Sequence, residues 1–129
     1  MCLWVKYSRG GVPLIKIKRA YDEASEGDGY RVLVERLWPR GVTKERAALD
    51  LRLKDVAPST ELRKWFHRHT DDWEEFRKRY WEELADKKDD IEFLKKKSEE
   101  GMVTFVYSAR EREHNAATGL KAYIERPAR

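Results

Sequence analysis

Three patterns of apolar and polar positions run along this chain, and each predicts a different kind of element. From Pro13 to Tyr21 the sequence PLIKIKRAY sets Ile15 and Ile17 against Lys16 and Lys18. That period of two predicts an edge strand. Tyr30–Leu37 is more continuously apolar through Val32, Leu33 and Val34, as expected of a central strand in a mostly parallel sheet, and Pro39 and Gly41 stop it. DEASEGDG, residues 22–29, reads as a polar turn between the two strands. Residues 45–56 fit either a short helix or irregular chain. Beyond them the period lengthens. Ser59 is suited to cap a helix with Glu61 in its first turn, and Asp71 with Glu74 forms a capping-box pattern for a second. In that second helix Trp73, Phe76, Tyr80 and Leu84 recur at three- and four-residue steps, making an amphipathic stripe. Asp89 with Glu92 repeats the capping signal for a third helix reaching Lys97 and ended by Gly101. Met102–Ala109 is an apolar, β-branched and aromatic strand. The last helix spans about Arg112 to Ile124, with Ala117, Leu120 and Ile124 on one face. The order predicts an α/β fold: a small, mostly parallel sheet flanked by helices in a single compact layered domain over residues 13–126. Residues 1–12 are read as an N-terminal extension.

Composition narrows the class. The chain has 129 residues, with 40% charged and 12% aromatic positions. Such aromatic content suits a modest folded core rather than a disordered polymer. No run approaches the roughly 20 apolar residues of a membrane span, and the N-terminus lacks a secretory h-region. Cys2 is the single cysteine, so no internal disulfide is expected, and a cytoplasmic location is the simplest expectation. Gln is absent and Asn occurs once, at position 115, amid abundant Lys, Arg and Glu. This thermophile-like composition avoids heat-labile amides and so draws attention to Asn115. The net charge of +4 is uneven. Residues 31–69 hold ten basic and five acidic groups, whereas residues 71–100 hold eight and twelve. A basic segment makes nucleic acid one candidate partner, although a solvated, salt-bridged surface explains the same charges.

Candidate chemistry gathers at two strand ends. In open α/β sheets, ligands bind beyond the carboxyl ends of the strands. The first end carries Glu35, Arg36 and Arg40. The second carries Ser108 and Arg110, then His114 and Asn115 near the start of the last helix. If those strands are parallel neighbours, the groups converge on one edge. Arg36 and Arg40 suit bidentate clamps for phosphate or carboxylate, with Pro39 and Gly41 fixing Arg40 in a turn. Glu35, on Leu33's face of an alternating strand, reads either as an ion-pair partner for Arg36 or as a general base. His114 reads as a proton-transfer group or an exposed turn residue. Asn115 would orient a ligand or cap the helix. His67 and His69 with Asp71 and Asp72 suggest a metal, but histidines two apart do not share a helix face. The aromatics from Trp65 to Trp81 have helical spacing that favours core packing over a base-stacking platform. Lys95, Lys96 and Lys97 suit a solvated last helical turn. With no dinucleotide fingerprint and no P-loop, no cofactor or metal is expected.

The stretches DGYRVLVERLWPRGV, APSTELRKWF, WEEFRKRYWEEL and VTFVYSAREREHNAATGL occur in that order. Together they resemble the YeaO-like branch of the domain-of-unknown-function family 488, over roughly Ile15 to Ile124. The resemblance implies a compact cytoplasmic α/β domain of bacteria or archaea, and no established reaction. Members usually have Asp where this chain has Glu35, often Trp at Arg52 and a further His at Ala116. The last departure weakens any mechanism requiring two histidines there and leaves Arg36, Arg40 and Asn115 in place. The expectation is an enzyme or binding protein for a small phosphate- or carboxylate-bearing ligand, possibly a nucleotide. Glu35 or His114 would move protons in hydrolysis or group transfer, while Arg36, Arg40, Ser108, Arg110 and Asn115 bind. The alternative is a nucleic-acid-binding or regulatory module using residues 31–69.

Overall fold

A computed structural model describes residues 13–126. The expectations placed on residues 1–12, Cys2 included, lie outside the described residues. Four parallel strands form one sheet in the order β1-β4-β2-β3: β1 (Ile15–Arg19), β2 (Tyr30–Leu33), β3 (Leu51–Arg52) and β4 (Val103–Tyr107). The helices are α1 (Lys44–Ala47), α2 (Thr60–Arg68), α3 (Trp73–Leu84), α4 (Lys88–Glu100) and α5 (Ala116–Glu125). The α/β class, the edge position of β1 and the central position of β2 agree with the pattern of the sequence.

The pleat divides the sheet into two unlike faces. Ile15, Val32, Val34, Val103, Phe105 and Tyr107 face a core supplied by Leu62, Phe76, Tyr80, Leu84, Leu94, Leu120 and Ile124 from the long helices. The opposite face carries a smaller apolar cluster, with Ala20, Leu33, Val42, Ala47 and Val106 packed by Trp38 and Tyr21. Here the sheet is covered by loop and the one-turn α1.

That second face also holds a buried charge cluster. Asp28, fully buried, accepts hydrogen bonds from Lys16 (2.9 Å), Lys18 (3.1 Å), Ser25 and the buried Arg31. Arg31 in turn donates to the carbonyl of Ala47, and the Asp28 carbonyl accepts from Thr104. A turn that reads simply as polar therefore locks β1, β2, β4 and α1 together.

Several boundaries differ from expectation for local reasons. β2 ends at Leu33 rather than Leu37, although the Val34 N–H still reaches Val106. The open 45–56 segment holds α1, the two-residue β3 and a 3-10 turn. Ser59 caps α2 as expected, accepting from the Leu62 N–H (3.1 Å), and also donates to Glu83 of α3 (2.6 Å). For α3 the cap is Asp72, one residue after the expected Asp71. α4 starts at Lys88 without a side-chain cap, leaving Asp89 in its first turn, and ends at Glu100 beside Gly101. α5 starts four residues later than expected, because Asn115 is its N-cap. No helix among the described residues is long and apolar enough to cross a membrane.

Candidate functional site

The strand order creates a crevice. From β2 the chain passes outward to β3, whereas from β4 it passes to α5, which packs against β4 and β1. Adjacent strands whose connections depart in opposite directions leave an opening beyond their carboxyl ends. A cavity of about 440 Å³ occupies that place. It is lined by Glu35 to Leu37 after β2, Ala57 and Pro58, one face of α2, Phe76, and Ser108 to Glu111 with His114 to Ala116.

Six of the seven residues singled out at the strand ends line this one cavity: Glu35, Arg36, Ser108, Arg110, His114 and Asn115. Glu35 is half-buried and its Oε1 accepts from Ser108 Oγ at 2.7 Å, a hydrogen bond directly between the two strand ends. It is not paired with Arg36. Arg36 instead donates from Nε to the Pro58 carbonyl at 3.1 Å, and the residue lines the cavity. Because β2 stops at Leu33, strict alternation ends there and Glu35 turns into the crevice instead of continuing on Leu33's face.

Arg40 stands apart. Pro39, Arg40 and Gly41 form the expected tight turn, closed by Val42 N–H on the Pro39 carbonyl, with Gly41 at φ +80°. Such a conformation at the third turn position suits glycine. The turn belongs to the face covered by loop and α1. Trp38 donates to the Val42 carbonyl at 2.6 Å and packs in the small cluster, so Arg40 projects into solvent away from the cavity. The convergence expected of Arg36 and Arg40 thus holds for Arg36 only.

The two ends of the cavity wall are stiffened from outside. Arg19, at the end of β1, donates to the carbonyls of Ala109 (2.8 Å) and Ser108 (3.3 Å). Arg112 makes a two-pronged ion pair with Asp22 at 2.9 and 3.1 Å, and this holds the Asp22 carboxyl below its ordinary pKa. The amide N–H groups of Glu113 and His114 do the same for Glu111. His114 is exposed and stacks on Trp73, with ring centres 4.8 Å apart and the rings 11° from parallel.

Asn115 is spent on structure. Its Oδ1 accepts from the Thr118 N–H at 2.9 Å and its Nδ2 donates to the Glu111 carbonyl at 2.8 Å. This explains one Asn in a chain that otherwise avoids amides. Asn115→Ala should cost about 1–2 kcal/mol of stability, the usual worth of an N-cap, measurable as a lowered denaturation midpoint. A loss of ligand affinity without that drop would contradict a capping role.

Arg63, Phe66, His67 and Thr70 also line the cavity, and sequence reasoning missed their part. Their spacing of i, i+3, i+4 and i+7 is one helical stripe, a signal present in the sequence but equally compatible with a solvated face. His67 and His69 diverge: His67 faces the cavity, whereas His69 stacks on Trp65 and reaches its carbonyl. A second, more open depression of about 550 Å³ lies between α2 and α3. None of the strand-end residues line it.

The arrangement offers three guanidiniums, two imidazoles and two carboxylates, Glu35 and Glu111, around a floor of Leu37, Pro58, Phe66 and Phe76. Guanidiniums can pair with anionic groups, and an apolar floor can cover apolar atoms.

Comparisons with known proteins agree on kinship. The chain is 43% identical over 110 residues to the uncharacterized protein YeaO of Escherichia coli, covering 85% of this chain and 96% of that protein. It is 44% identical over 72 residues to the uncharacterized proteins Mb3100c of Mycobacterium bovis and Rv3073c of Mycobacterium tuberculosis, covering 56% of this chain and 61% of each. No solved structure matches the chain. A family description, "Inactive DUF488-N3 subclade", matches residues 14–129, and the chain belongs to that family.

Proposed function

We propose that this protein binds a small anionic molecule in the cavity beyond β2 and β4, through a phosphate or carboxylate group. The observation that carries the reading is the meeting of Arg36, Arg63 and Arg110 around one cavity of about 440 Å³. Arginine forks suit such groups, and the volume falls within the roughly 300–1,000 Å³ of pockets for small ligands. The family's description as inactive favours binding over turnover. A catalytic reading, hydrolysis or group transfer with Glu35 or His114 moving protons, draws on the same cavity and on the Ser108–Glu35 hydrogen bond. The nucleic-acid reading has less support, because Arg31 of the basic segment is buried against Asp28 and Arg36 faces the cavity.

Calorimetry with a panel of phosphate- and carboxylate-bearing small molecules tests the proposal. One member should bind saturably at a single site. Arg63→Ala or Arg110→Ala should each weaken it about tenfold or more, as expected for a lost charge-assisted hydrogen bond, while leaving the thermal midpoint nearly unchanged. Binding only to duplex DNA, falling steeply with salt and insensitive to either substitution, would refute it. Turnover of the bound ligand that disappears in Glu35→Gln would establish the catalytic reading instead.

A further inference from the structure

The cavity is built for more than an anion. We infer that its ligand is a nucleoside monophosphate: a phosphate at the arginine rim, a flat base over the apolar floor, and a base N–H donated to Glu35. The inference rests on the anion-binding reading of the same cavity and names the ligand class.

Three observations carry it. The first is size, since about 440 Å³ is far more than a phosphate ion fills. The second is the floor. Phe66 is held flat against Phe76, ring centres 4.2 Å apart and 23° from parallel, and both line the cavity with Pro58 and Leu37. Leu37 is 64% exposed, an apolar side chain left in water at the rim of the cavity. A rigid aromatic surface suits a planar ring, and such stacking is sequence-tolerant among bases. The third is Glu35. Ser108 occupies Oε1, and among the described residues no hydrogen bond or ion pair engages Oε2. The other carboxylate of the lining, Glu111, already accepts the N–H groups of Glu113 and His114. A carboxylate such as Glu35 with an open oxygen repels a bare anion, so its presence makes sense if the ligand also brings a donor. Base N–H groups are such donors, and a carboxylate accepts them in the base plane.

The experiment compares, at one ionic strength, the affinities of the four common ribonucleoside monophosphates, ribose 5-phosphate and inorganic phosphate for the full chain. At least one nucleotide should bind ten or more times tighter than ribose 5-phosphate and phosphate. Glu35→Gln should weaken that nucleotide about tenfold, yet leave ribose 5-phosphate unchanged or tighter, because a negative charge has left the cavity. Phe66→Leu, which keeps the apolar volume, should narrow the preference for the nucleotide over ribose 5-phosphate. If ribose 5-phosphate or phosphate binds as tightly as every nucleotide, this inference falls while the anion site stands. An unchanged nucleotide affinity in a folded Glu35→Gln protein overturns the donor contact and the inference with it. If none of these anions or the carboxylates of the wider panel binds, the anion-binding reading itself fails.

Discussion

Replacing Asp28 by Ala should cost about 3–5 kcal/mol, the range for breaking a buried ion pair from one side. The loss comes less from the vanished attraction than from what remains. Arg31 is 3% exposed, and without Asp28 its charge stays buried with only the Ala47 carbonyl to accept from it. Lys16 and Lys18 would then face each other without the carboxylate between them. In a chain of this length the change corresponds to a fall of on the order of 10–20 °C in thermal midpoint. Acid supplies an independent check. Burial alone raises the Asp28 pKa, but hydrogen bonds from Lys16, the Ser25 backbone and Lys18 outweigh it and hold the carboxyl well below the usual carboxylate range. A group depressed in the folded state contributes fully above its unfolded pKa of about 3.9 and loses that contribution as pH falls below it. The unsubstituted protein should therefore lose more stability between about pH 5 and pH 2 than Asp28→Ala does, so that the two curves approach each other in acid. Parallel curves, or an Asp28→Ala protein as stable as its parent at pH 7, would mean that the cluster does not brace the sheet.

Gly29→Ala, one residue on, should cost about 3 kcal/mol or more for a different reason. Gly29 has φ +64° and ψ −132°, backbone that side chains rarely adopt. Strain of this sort is worth about 1–3 kcal/mol by itself. An added Cβ would also lie 2.2 Å from the Met102 carbonyl oxygen, which is backbone and cannot swing aside. That oxygen accepts the Tyr30 N–H that starts the β2–β4 pairing, so relief of the clash must open the ladder. Chemical denaturation of Gly29→Ala, set against Gly27→Ala, separates the causes. Gly27 has only the tip of Lys16 within 4 Å of an added Cβ and should tolerate the change. Equal losses at both positions would show that flexibility of the turn, rather than contact with Met102, decides the effect.

How much of this was legible in the sequence follows from the range of each interaction. The alternation of Ile15–Arg19 marks a strand at the edge, the continuous apolar runs at Val32–Val34 and Val103–Tyr107 reflect burial on both sheet faces, and together they located three strands. The two-residue β3 is too short to carry a period. The parallel pairing of β2 with β4 was the one assumption needed to bring Glu35, Arg36, Ser108, Arg110 and His114 together, and the structure has that pairing. Asp28 was illegible because its partners come from Lys16, Lys18 and Arg31, and its turn looks polar whether it is buried or solvated. Arg40 was misplaced because nothing local shows that Trp38 pulls the turn under the other face of the sheet. Arg63 and His67 were overlooked because a helix reveals its stripes but not which one faces a cleft.

The measurement closest to the central claim is a backbone-amide NMR titration with the tightest-binding phosphate- or carboxylate-bearing molecule of the panel. Amides of residues 35–37, 108–111 and 114–116, with those of Arg63, Phe66, His67 and Thr70, should shift together along a single binding curve, because they line one cavity. Shifts scattered over basic positions and reversed by salt, or gathered around Glu61, Trp65 and Glu82 between α2 and α3, would contradict a ligand site beyond the ends of β2 and β4.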